Sequence, residues 1–183
     1  MRPWLEPPRA AAVSRFAPRH PRHRRCAIGA SAANRARLHG VIEVKEFAVQ
    51  LDPSAFLADP ELIAGLGKKA TAMVCATERV LFQQGDSPSG VYLLMKGAAR
   101  LTMQSPEGKL LVSVEVLKGS LLGLPGLLGN QPYTLTATAL PGAQVGFVPR
   151  DQFTSLMQTE PAIALKILSV LAAEVRSARR AIC

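Results

Sequence analysis

Between residues 70 and 150 the apolar positions come in short bursts separated by glycines. Val80-Leu81-Phe82, Val91-Tyr92-Leu93-Leu94-Met95 and Leu110 to Leu117 are runs of strand-forming residues, and Gly85, Gly97, Gly108 and Gly119 recur at intervals of twelve, eleven and eleven. The third run alternates, with Leu110, Val112, Val114 and Val116 on one side and Ser113 and Glu115 on the other, as a half-buried strand requires. Leu135 to Ala139 and Gln144 to Val148 read as two further strands joined at Pro141-Gly142. Short strands at this spacing predict a sandwich or barrel.

The pattern changes at both ends. Asp52-Pro53 and Asp59-Pro60 each set a capping carboxylate before a proline suited to a first helical turn, predicting short helices over 53–58 and 60–66. Asp151 to Met157 reads as a short amphipathic helix, and Thr159-Glu160-Pro161 opens a longer one towards Ile182. Ile163, Ile167, Val170, Leu171, Val175, Ala178 and Ile182 form its apolar stripe, flanked by Leu165 and Leu168. The expected plan is a basic tail over 1–40 and one domain over 41–183, with helices within 53–67, a barrel over 70–149 and C-terminal helices over 151–182.

Charge sharpens this division. The 183 residues carry a formal net charge of +9, but residues 1–40 hold nine Arg against Glu6 alone, a net +8. From Val41 onward thirteen basic residues face twelve acidic ones, so the predicted domain has no phosphate-steering field. The first forty residues lack any apolar period and are read as disordered; their Arg-rich, acid-poor composition also suits a transit peptide, or a true start near Val41. Positions 119–149 contain no Asp, Glu, Lys or Arg, yet six Gly and four Pro break that stretch, so no membrane-spanning helix fits. Cys26, Cys75 and Cys183 give neither a disulfide set nor a metal spacing, which suggests a reducing, cytoplasmic setting.

Three segments taken in order carry a resemblance: Val80-Leu81-Phe82-Gln83-Gln84-Gly85-Asp86, Val91 through Lys96-Gly97 to Leu101, and Leu117-Lys118-Gly119-Ser120-Leu121-Leu122-Gly123. Over about residues 55–180 they resemble the cyclic-nucleotide-binding-domain superfamily, in particular the effector domain of Crp/Fnr-type regulators. The resemblance implies a mainly β fold, a double-stranded β-helix (jelly-roll) barrel with short N-terminal helices and a long C-terminal helix. In nucleotide-binding members the phosphate cassette begins Gly-Glu and ends in Arg followed by Ser, Thr or Ala, because a buried cyclic phosphate needs a cation and a ribose hydroxyl needs an acceptor. Here Gly119 stands at the first position, Ser120 replaces the Glu, Tyr133 replaces the Arg and Thr134 supplies the hydroxyl, with Leu121 and Gly123 completing a degenerate candidate cassette. Either Gly123, Gly126 and Gly129 present N–H groups to an altered ligand, or these glycines only make turns while Tyr133 and Leu135 fill the nucleotide's space.

The leading expectation is therefore a non-catalytic regulatory module, degenerate for nucleotide, acting through dimerisation or a protein partner. By the same resemblance the long helix pairs with its twin around Ile167, Val170 and Leu171, with Glu174 reaching an Arg across the axis. The alternative is a sensor of an altered small molecule. A cupin-like enzyme is disfavoured: no His lies between Val41 and Cys183, and Glu78, Asp86, Glu107 and Glu115 read as solvated turn or strand-end charges. No metal, cofactor or membrane contact is expected, and no sequence-specific DNA binding, since three residues after Arg180 cannot build a helix-turn-helix.

Overall fold

A computed structural model describes residues 48–182; the expected tail, residues 1–40, lies outside them. A 3-10 turn, Pro53–Phe56, leads to α1, Pro60–Gly67. The predicted caps form: the Asp52 carboxylate accepts from the Ser54 N–H at 2.9 Å, and Asp59 accepts from the Leu62 N–H at 2.8 Å. Eight strands follow: β1 Thr71–Cys75, β2 Arg79–Phe82, β3 Gly90–Lys96, β4 Ala98–Gln104, β5 Leu110–Leu117, β6 Leu121–Leu122, β7 Thr136–Ala139 and β8 Ala143–Pro149. A short helix, α2, Leu124–Gly129, lies between β6 and β7, and the chain closes with α3, Arg150–Thr159, and α4, Pro161–Ile182.

The strands form two antiparallel four-stranded sheets, in the orders β1-β8-β3-β6 and β2-β7-β4-β5. This is the mainly β jelly roll that the glycine spacing implies, and Gly85, Gly97, Gly108 and Gly119 all adopt positive φ in its turns. One apolar cluster fills the space between the sheets, with Tyr92, Leu94, Leu101, Val114 and Val116 among its members. A second cluster lies on the helix side and joins Leu62, Leu66, Phe153, Ile163 and Ile167 to Val91 and Leu93.

β3 thus contributes to both clusters, Tyr92 and Leu94 to one and Val91 and Leu93 to the other, which explains why its sequence is a continuous apolar run. β5 has one buried face, so it alternates as predicted at Val112, Val114 and Val116; Leu110 stays exposed, beyond a register shift opposite Met103 and Gln104.

α4 departs from the expected seam. Ile163, Ile167 and Val170 are core residues against α1, α3 and β3, and Ile167 is 0% exposed, so Ile167 and Val170 cannot centre a contact with a second copy. Leu171 is only half-buried. The flank that faces solvent carries Leu165 and Leu168, 66% and 49% exposed. Two tethers fix the helix: Lys166 Nζ lies 2.8 Å from both Asp59 and Glu61 of α1, and the Asp52 N–H donates to Ser177 Oγ at 2.7 Å. Among the described residues no single helix is long and apolar enough to cross a membrane; α3 and α4 combine such length and apolarity only together, and they bend by 117° at their junction.

Candidate ligand pocket

The expected cassette is divided by the fold. Gly119 makes the turn out of β5, and Ser120 is fully buried, its N–H donating to Leu117 O and its carbonyl accepting from the Leu94 N–H. Ser120 Oγ is sealed without a hydrogen-bond partner among the described residues. Leu121 packs into the helix-side cluster. None of these three is among the described residues that line the main cavity, whereas Gly123, Tyr133 and Thr134 are. The glycine at the cavity wall is therefore Gly123, the N-cap of α2, and the residue after it, Leu124, is buried and apolar. Placed there instead of at Gly119-Ser120, the cassette still lacks its carboxylate.

Tyr133 occupies the other end. Its hydroxyl donates to Gly90 O at 2.7 Å, and its ring stacks on Phe82 with centroids 4.0 Å apart. Burial holds the phenol above the usual tyrosine range. The glycines of α2 make room for it: a Cβ on Gly126 would lie 2.9 Å from Tyr133 Cδ1, and one on Gly123, where φ is +89°, 3.0 Å from Cε1. Their close approach is to an aromatic ring, which fills this end of the site as a hydrogen-bonded plug.

A cavity of about 540 Å³ remains beside this plug. Its walls are apolar, from Leu101, Met103, Val112, Leu122 and Leu135 of the barrel, and the second half of α4 looks onto it through Glu174, Val175, Ala178 and Ile182. Only Lys109 and Glu174 among the described lining residues are charged types. Glu174 Oε1 is shut off from solvent with no hydrogen-bond partner among the described residues, and burial pushes the Glu174 pKa up to about 8. Glu174 was expected at a dimer axis; it faces this cavity instead. The sequence does carry a signal for it, since Glu174 sits three residues after Leu171 and four before Ala178, a carboxylate within the apolar stripe. Among the described residues no group of three or more His, Cys, Asp or Glu side chains could hold a metal ion.

Comparison with known proteins agrees with this architecture. Residues 73–160 match the family described as cyclic nucleotide-binding domain. The lysophospholipase nte1 of Neurospora crassa is 32% identical over 99 residues, 54% of this chain but 6% of that protein, so the alignment covers a small part of the relative's length. The catabolite activator protein of Thermus thermophilus superposes with a TM-score of 0.60 at 21% identity, covering 72% of this chain and 62% of its own. The N-terminal domain of a transcriptional regulator from Streptomyces coelicolor A3(2) does so with a TM-score of 0.53 at 25% identity, over 71% of this chain and 90% of its own. The fold and the family are those of regulatory binding domains and not of catalysts. Residues 73–160 thus carry the match to the cyclic nucleotide-binding domain, and the two sheets with a long C-terminal helix have the Crp-type arrangement of the jelly roll.

Proposed function

We propose that this domain is a regulatory module whose cassette has lost the cyclic nucleotide, and that it acts by contact with a second copy or a protein partner. One observation carries the reading: Tyr133, which we read at the cassette's arginine position, is bonded to Gly90 and stacked on Phe82. A cyclic phosphate entering here would meet a phenol already committed to a carbonyl. Losing each charged partner costs about 1.5–3 kcal/mol, roughly ten- to a hundredfold in affinity. Calorimetric titration with cyclic AMP and cyclic GMP is expected to give no low-micromolar binding, and a low-micromolar dissociation constant for either would overturn the reading. Contact with a second copy is assigned to the outer flank of α4, where Leu165 and Leu168 are exposed, and not to its buried face. The match to part of a lysophospholipase is compatible with a module that serves a lipid-processing enzyme, in the same chain or in a partner.

A second reading, a sensor of an altered small molecule, is favoured by the cavity itself. A volume of about 540 Å³ falls in the range of small-molecule sites, roughly 300–1,000 Å³. Native mass spectrometry of freshly purified protein, which reports subunit count and retained ligand together, separates the two.

A further inference from the structure

The cavity has a chemical polarity of its own. Its barrel walls offer hydrocarbon: Leu101, Met103, Val112, Leu122 and Leu135. Against them, from α4, stands the Glu174 carboxyl, with an oxygen closed off from water and without a partner. An unpaired polar atom so placed is costly, and a small turn of the carboxyl into the cavity would let a bound hydroxyl bring the missing hydrogen bond. We propose that the cavity takes a neutral amphiphile, an aliphatic chain with a single hydroxyl head, its chain along the barrel walls and its head on the Glu174 carboxyl.

The head group follows from counting hydrogen bonds. Near neutral pH the buried carboxyl is largely protonated and needs an acceptor for its O–H, which a hydroxyl oxygen provides while its own O–H returns to the carboxyl. An ammonium carries three donors and a full charge, and the largely apolar described lining, with side-chain hydroxyls only at Tyr133 and Thr134, favours a neutral head with fewer donors. A carboxylate or phosphate head at Glu174 would be set beside an acid group; Lys109, also in the described lining, is the cation whose pull the decanoate titration reads. This inference rests on the sensor reading of the same pocket and names its ligand class.

Calorimetric titration of the full chain at pH 7 with 1-decanol, decylamine and decanoate tests it. Saturable micromolar binding of 1-decanol is expected, tighter than either charged analogue. Glu174→Leu should weaken it about tenfold, while Glu174→Gln, which keeps a donor and an acceptor, stays close to wild type. Circular dichroism checks folding, and Glu174→Leu should not lower the thermal midpoint, because it removes a buried unpaired acid. If decylamine or decanoate binds at least tenfold more tightly than 1-decanol, the sensor reading stands and the proposed ligand class is overturned. If none of the three binds, both fall. Unchanged 1-decanol binding by a folded Glu174→Leu would also overturn the proposal, since the carboxyl would then not hold the head.

Discussion

Glu174 makes the stability of the domain depend on pH in a window where carboxylates are ordinarily silent. In the folded chain its pKa is raised to about 8, against 4.5 for the free side chain. The folded state therefore binds this proton more tightly than the unfolded one. That contribution is complete below about pH 4.5 and is lost as the pH rises towards 8, above which it levels off. At about 1.4 kcal/mol per pK unit the loss is on the order of a few kcal/mol. Tyr133 and Lys109 share the cavity wall; the phenol, raised by its burial, stays protonated throughout. All three His residues, at 20, 23 and 39, lie outside the described residues. The carboxylates whose pKa values are lowered, Asp52, Asp59 and Glu107, lose their charge in a more acid range. Urea unfolding at pH 5, 6.5 and 8.5 should show the midpoint falling for the wild type and nearly constant for Glu174→Gln. Equal slopes for the two would contradict the assignment.

At the scale of elements, α4 contains two helices' worth of roles in one rod. Its first half is core, so Ile167→Glu should abolish folding by burying a charge among Leu62, Leu93 and Phe153. Its outer flank is free of that role. Leu168→Glu, at a position 49% exposed, should leave the fold intact and shift a concentration-dependent dimer towards monomer in light scattering. A folded Leu168→Glu that remains as dimeric as the wild type would rule out that flank. The contrast also measures what the sequence could tell. Glycine punctuation, Asp-Pro caps and strand alternation located α1, β3, β5, β7, β8, α3 and α4 because those signals are local. β1 and β6 had no such signal: Thr71–Cys75 has only Cys75 buried, and Leu121–Leu122 is two residues long. The stripe on α4 was legible as apolar, but its period says only that one face is covered. Whether barrel, cavity or a second chain covers each turn depends on residues as distant as Asp52 and Leu101.

For the whole molecule, charge and core are separated along the chain. Residues 1–40 hold a net +8 with no periodic apolar face, and the clusters that define the barrel draw on residues from Leu51 to Ala173. Removing residues 1–40 should move the thermal midpoint by less than about 5 °C, the change that roughly 1 kcal/mol makes in a domain of this size. A larger drop in a calorimetric scan would mean that those residues contribute to the fold. The candidate pocket was only half legible for a related reason. Tyr133, singled out in the sequence, does line the cavity, whereas Ser120, expected beside it, is buried elsewhere; two glycine-led turns, at Gly119 and Gly123, follow one another within five residues and offer the sequence two places for one motif. The attachment of α4 has a mechanical meaning. The rod is clamped through Ile163, Lys166, Ile167 and Val170, and beyond Ala173 the hydrogen bond from Asp52 to Ser177 pins it while its remaining turns roof the cavity. From Val170 to Ile182 it extends about 18 Å at 1.5 Å per residue. A body pressing the roof outward by about 10° about Val170 would swing the tip through roughly 3 Å, and it could do so only by giving up the Asp52–Ser177 hydrogen bond.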